Sequence, residues 1–252
     1  MRGFEDHFAL GSELYAKARP CYPMALSAWL TEQAPRSKLA WDAGTGSGRL
    51  AHQLNSHFDR VYATDASQAQ LDQATPAPGL EFALERAEQP TLVSGSVDLV
   101  TVAAAAHWLD LQSFYQAVRR VAAPGGVLAL FSYGTALKGS PFLGEVLDAY
   151  AGSIEPYWPS SYRLVAEQYR SLSFPFERVD APEFAAESSG DLEHLLNILR
   201  TWSGSLRALQ ATGCDPVAPF EEKLRWAWNK KGPSRASRML FWPIFGHVGR
   251  LP

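Results

Sequence analysis

Residues 41–48 read WDAGTGSG, an aspartate at 42 followed by glycines at 44, 46 and 48. A short apolar run leads into this turn, and GRLAHQLNSHF, with Leu50, Leu54 and Phe58 on one helical face, leads out of it. Strand, glycine turn and helix together make a nucleotide-binding arrangement, because glycine tolerates positive φ and lets a ligand approach the backbone. A dinucleotide site spaces its glycines G-x-G-x-x-G and seats a pyrophosphate on the helix N-terminus. Here the third glycine comes one residue early, and the Asp42 carboxylate would face the diphosphate. S-adenosylmethionine carries an ammonium and a sulfonium and no phosphate, so the charge at Asp42 favours it. A turn that only joined a strand to a helix would not need three glycines in five residues, given their entropic cost.

Asp65 closes the next apolar run, VYATD, 19 residues beyond Gly46. A carboxylate there can accept hydrogen bonds from both ribose hydroxyls of either cofactor, or simply cap the next helix. After the third run come Ala87 and Glu88, within reach of an adenine edge or else on a surface loop. The fourth run, VDLVTVAAAA, ends in Ala103–Ala106 and continues into His107 and Trp108. Four alanines leave room at the strand tips, where open α/β sheets bind their ligands. His107 is the candidate general base, with an ordinary pKa near 6.5, or else it lines the pocket or bonds the backbone.

The elements that must hold these residues are legible in the hydrophobic pattern. Strands are expected at KLAWDA, VYATD, LEFALERAE, VDLVTVAAAA and GGVLALFSY, with helices at 22–34, 48–58, 68–74 and LQSFYQAVRRVA. The order β-α-β-α-β-β-α-β with buried strands implies a parallel sheet covered on both faces. Beyond Gly134, helices are expected at 141–151, 161–172, 191–203 and 218–229. A strand over 176–187 is interrupted at Pro182, and RMLFWPIFGHV is a last strand held to an edge or bulge by its proline.

The chain has 252 residues, 46% hydrophobic and 19% charged, with net charge −3: a soluble globular composition, of a length that fits one large α/β domain as well as two small ones, and without the basic footprint of a nucleic-acid or anionic-membrane binder. The mildly basic Lys230, Lys231, Arg235 and Arg238 read as a solvated loop. Two cysteines, Cys21 and Cys214, suggest neither a disulfide framework nor a metal site. The N-terminal MRGFEDHFALGSELYAKARP carries charge throughout and is not expected to be a signal peptide, and no apolar run is long enough for a membrane span. A cytoplasmic protein, monomer or homodimer, is the expectation.

Taken in order, WDAGTGSG, YATDAS, RAEQ, VDLVTVAAAAHW and VAAPGGVLAL resemble the class I S-adenosylmethionine-dependent methyltransferases over roughly residues 37–133. They resemble most its small-molecule branch, which includes trans-aconitate methyltransferase-like, ubiquinone/menaquinone methyltransferase-like and methyltransferase type 11-like proteins. FALGSELYAKARPCYP upstream, and more loosely TWSGS and LFWPI downstream, extend the likeness. The resemblance implies a Rossmann-like α/β fold: a seven-stranded sheet with an antiparallel last strand, helices on both faces and a helical insertion after strand five. In one domain it implies an N-terminal cap over 1–36, a cofactor-binding core over 37–134, a helical lid with strand six over 135–235 and a last strand over 236–252. Asp42, Gly44, Gly46 and Gly48 would then wrap the methionine portion, with Asp65 on the ribose, Ala66 against the adenine, Ala87 and Glu88 at its edge, and Ala103 beside the cofactor. Tyr15 and Arg19, at i and i+4, share a helical face; Arg19 would pair with the cofactor carboxylate or an acidic substrate, and Tyr15 would border the methyl group.

Transfer of a methyl group from a sulfonium is an in-line displacement, in which alignment supplies about 7–11 kcal/mol. A base is needed only for a nucleophile that arrives protonated. Trp108 is expected as pocket wall, and Tyr157, Trp158 or Trp202 as the face of an apolar acceptor pocket. The competing readings are an RNA or protein methyltransferase, an NAD-dependent oxidoreductase and a non-catalytic cofactor-binding protein. The first lacks a basic face and an N-P-P-Y type tetrad after strand four, and the second lacks its glycine spacing.

Overall fold

The computed structural model describes residues 14, 18–138, 141–230 and 232–252. Five strands form the parallel part of one sheet: β1 (Leu39–Ala43), β2 (Arg60–Asp65), β3 (Leu80–Leu84), β4 (Val97–Ala103) and β5 (Ala122–Tyr133). Three more follow, β6 (Glu177–Val179), β7 (Ala185–Gly190) and the long β8 (Arg238–Arg250). The spatial order is β3-β2-β1-β4-β5-β8-β6, with β7 paired to β8 off this path. β8 runs antiparallel to β5, β6 and β7. The seven-stranded sheet with a reversed last strand is thus present, with β7 as an addition.

Side chains alternate across this sheet as the period of two requires. Val100, Val102, Leu128 and Leu130 face one way, into a core with Trp41 and the apolar stripe of α4 (Leu111–Val121), notably Phe114, Val118 and Val121. Leu99, Val127, Ala129 and Phe131 face the other way, toward α1 (Met24–Gln33) and α2 (Arg49–Leu54). The buried Asp98 carboxylate ties the start of β1 to β4: it accepts from the backbone N–H groups of Lys38 and Leu39, at 3.0 and 3.2 Å, and from Arg36.

A third core lies beyond the sheet. It joins α5 (Pro141–Ser153), α7 (Leu192–Arg200), α8 (Ser203–Thr212) and α9 (Glu221–Asn229) to the first half of β8 through Leu147, Tyr150, Leu196, Trp228 and Trp242. The short α3 (Gln68–Leu71) follows β2, and the short α6 (Tyr162–Ala166) lies between α5 and β6. The strand expected over 176–187 is two strands separated at the proline. The helix α8 was not anticipated. Pro243 pairs with Ala185 of β7, just outside the stretch of β8 that pairs with β5, and so it sits where no β5 hydrogen bond is lost. Gly246 is required by close approach, since a Cβ there would stand 2.1 Å from the Leu130 carbonyl oxygen.

Candidate active site

Strand order reverses between β1 and β4, opening a crevice at their carboxyl ends, the place where open α/β sheets take ligands. The turn after β1 fills it. Gly44, Gly46 and Gly48 all have positive φ, at 69°, 59° and 82°. A Cβ on Gly44 would lie 2.7 Å from Ala105 Cβ, and one on Gly48 would lie 2.6 Å from the Phe82 ring. The turn is therefore pressed between the Phe82 ring of β3 and the segment that follows β4, and only glycine fits at either end of it.

Asp42 is buried beneath this turn. Its two oxygens accept from the hydroxyls of Thr101, at 2.7 Å, and Thr45, at 2.6 Å. Burial pushes its pKa up to about 6; the two hydroxyls pull the other way, and the nearby Asp65 adds to the rise. Asp65, at the end of β2, accepts from Gly46 N–H at 2.8 Å and from Ser67 N–H at 2.9 Å. Ala66 follows it, half-buried. Across the crevice Ala87 is buried, and the Glu88 carboxylate accepts from Asp110 N–H at 3.0 Å and from Arg86 at 3.4 Å. Ala103 ends β4. The next residue, Ala104, has φ +55° and donates its N–H to the Phe131 carbonyl at 2.8 Å.

Beside the turn lies a small cleft that opens to solvent. Arg19, Ala104, His107 and Trp108 line one part of it, and Ser132, Tyr162, Trp158 and Trp202 line another. Trp158 stacks on Tyr162 with ring centroids 3.7 Å apart and 10° between planes. Gly204 makes room for this wall, because a Cβ there would stand 2.9 Å from the Trp158 ring. The Arg19 guanidinium donates to the Thr201 carbonyl at 3.0 Å. His107 Nδ1 shares a 2.9 Å hydrogen bond with the hydroxyl of Tyr169. Burial, and then the positive charge of Arg19, lower the His107 pKa to about 3. Burial raises that of Tyr169.

A methyltransferase-domain family model matches residues 41–130, the stretch that holds β1 to β5 and the glycine turn. A solved structure from Anaeromyxobacter dehalogenans, described as a type II methyltransferase, superposes with a TM-score of 0.83 and 38% sequence identity. That alignment covers 92% of this chain and 97% of the other. The chain belongs to the class I S-adenosylmethionine-dependent methyltransferases. A protein named as a methyltransferase in Dictyostelium discoideum is 29% identical over 229 residues, covering 89% of this chain and 87% of its own. A second, from Mycobacterium tuberculosis, is 38% identical over 117 residues, covering 46% of this chain and 47% of its own.

In this methyltransferase, Asp42, the three glycines, Asp65, Ala66, Ala87, Glu88 and Ala103 stand at or after the carboxyl ends of β1 to β4, and Arg19, His107, Trp108, Trp158 and Trp202 gather in the adjoining cleft. Tyr157 is not part of the lining; it packs half-buried against the helical core. Tyr15 lies outside the described residues. Tyr162, Tyr169 and Ser132 were missed. Tyr169 comes to His107 through two consecutive residues with positive φ, Gln168 at 54° and Tyr169 at 58°, and no residue type at those positions signals such a turn. The glycine turn fits the cofactor in its chemistry: residues 44–47 are only partly buried, and the buried group beneath them is a carboxylate rather than a phosphate-binding cation. No helix among the described residues is long and apolar enough to cross a membrane.

Proposed function

We propose that this methyltransferase modifies a small-molecule acceptor with an apolar or planar body, a carboxylate, phenol or similar, held in the aromatic cleft beside the glycine turn. The observation that carries this reading is the cleft itself: stacked Trp158 and Tyr162, with Trp202 and Trp108, wall a space that has the Arg19 cation at its edge. Such a wall suits a flat or apolar body, and the net charge of −3 gives nucleic acid no general attraction.

S-adenosylmethionine, when bound, supplies the electrophilic methyl group. Asp42 with Gly44, Gly46 and Gly48 would hold its methionine portion, Asp65 its ribose, Ala66, Ala87 and Glu88 its adenine, and Ala103 its side nearest β4. Arg19 would meet a carboxylate, on the cofactor or on the acceptor, and Tyr15 would border the methyl group. The remaining work is alignment and exclusion of water. His107 is a poor proton acceptor: with a pKa of about 3 it would take a proton from a phenol of pKa about 10 only far uphill. We assign it to orienting the acceptor by hydrogen bonding, with its ring held by Tyr169. This favours an acceptor that arrives already ionised. The reading includes action in the cytoplasm, as a monomer or homodimer, with neither nucleic acid nor membrane as partner.

Calorimetric titration of the pure protein with S-adenosylmethionine, S-adenosylhomocysteine and NAD, followed by a labelled-methyl screen of carboxylic acids against phenols and quinols, tests it. Binding of both adenosyl compounds and label transfer to a small acid are expected. Label transfer only to RNA or protein would overturn the assignment of the acceptor.

A further inference from the structure

Gln70 belongs to none of the roles above, yet its side chain is buried against the cofactor turn. It is the third residue of α3, and its backbone N–H donates to the Ser67 hydroxyl at 3.4 Å. The residue is 3% exposed, and among the described residues neither its Oε1 nor its Nε2 has a hydrogen-bond partner. The amide points toward the middle of the glycine turn: its Oε1 lies 3.4 Å from where a Cβ on Gly46 would stand. The N–H of that same Gly46 is held at 2.8 Å by Asp65. The central residue of the turn thus lies between a carboxylate that engages it and an amide that does not.

A buried amide offers two donors and an acceptor, and leaving them unpaired is costly. A protein that keeps such a group next to its cofactor turn carries a cost that a shift of that turn can relieve. Resting on the cofactor assignment made above, we propose that Gln70 is a positioning residue for the glycine turn. In the ligand-free protein its amide is unpaired. When the adenosyl ligand draws on Asp65 and settles against the turn, the backbone at Gly46 and its neighbours pairs with the Gln70 amide, and the turn is held in its loaded form. Part of the affinity for the ligand then comes from a residue that never touches it.

The test is the near-isosteric apolar variant Gln70→Met, read by thermal unfolding without ligand and by calorimetric titration with S-adenosylhomocysteine. The expected result has opposite signs. The ligand-free variant melts higher than the parent, by about 2–4 °C, because an unpaired buried amide is gone. Its S-adenosylhomocysteine affinity falls by about tenfold, the scale of one net hydrogen bond. A variant that melts lower, with or without weaker binding, overturns the proposal, since the amide would then be satisfied or packed in the ligand-free state. Unchanged affinity overturns it as well. Should the variant fail to fold, the unsubstituted protein decides: saturation with S-adenosylhomocysteine should shift the Gln70 side-chain NH2 resonances and slow their exchange, and resonances that stay put count against it. If the unsubstituted protein binds no S-adenosylhomocysteine at all, the cofactor assignment falls first and this proposal with it. Binding that survives in the parent but is indifferent to Gln70 removes only the latter.

Discussion

Asp42 and Asp65 are carboxylates at the ends of adjacent strands, yet their surroundings prepare them for different work. Asp65 is only half-buried, and its oxygens meet backbone N–H groups. A carboxylate has about four acceptor sites, so ribose hydroxyls can join those bonds. Replacing Asp65 with Ala should weaken S-adenosylhomocysteine binding by about 1–3 kcal/mol in calorimetry, the scale for hydrogen bonds to a charged partner. Asp42 is sealed in, with its pKa raised from 3.8 to about 6. A raised folded-state pKa makes the protonated form the stabilising one. Its contribution is complete below about pH 4 and is lost as pH climbs through 6, on the order of 3 kcal/mol in all. Asp42→Asn should therefore remove a stability decline between pH 4 and 6 that urea unfolding detects in the parent. Binding of a cationic ammonium above the buried group should release a proton near pH 6, measurable from the buffer dependence of the binding enthalpy. His107 has the opposite shift, down to about 3, and stays neutral over the working range. The kcat/KM profile should carry no limb near pH 6.5 that disappears in His107→Asn; a limb that did disappear would make His107 the base.

At the scale of elements, the site depends on where strands end and how firmly they are pinned. The β1 turn is trapped between Ala105 and Phe82, so β1, β3 and β4 must keep register for the glycines to stand where they do. At the opposite end of β1, away from the turn, Asp98 ties that strand to β4 by collecting two backbone N–H groups and a guanidinium. Asp98→Ala leaves those N–H groups without their acceptor, and it should lower stability by about 3 kcal/mol in denaturant titration while leaving S-adenosylhomocysteine affinity within twofold. The strands of the first half were legible because each is a short apolar run between turn residues, and their parallel order follows from the helices between them. α8 and the division of residues 176–187 into β6 and β7 were not, because their partners are distant. β7 exists through its pairing with β8, some fifty residues later in the chain.

Across the whole molecule the sheet serves two cores of its own and supports a third. The helices of that third core, set on the first half of β8, bring Trp158 and Trp202 to the cleft, while other aromatics from the same region went elsewhere: Trp228 and Trp242 are core, and Trp226 is 58% exposed. The glycine turn and the strand-end acids could be read along the chain. Glycine spacing, a strand-end acid and an alanine run are local consequences of backbone geometry and charge, and they keep their meaning wherever the strands lie. Of the acceptor side, His107, Trp108, Trp158 and Trp202 were named from sequence and line the cleft, whereas Tyr157 does not. That Tyr169 holds His107 and that Gln70 lies against the turn are outcomes of long-range packing. Burial there decides both pKa values and partners, and burial is a property of the assembled cores, not of any residue's neighbours in sequence.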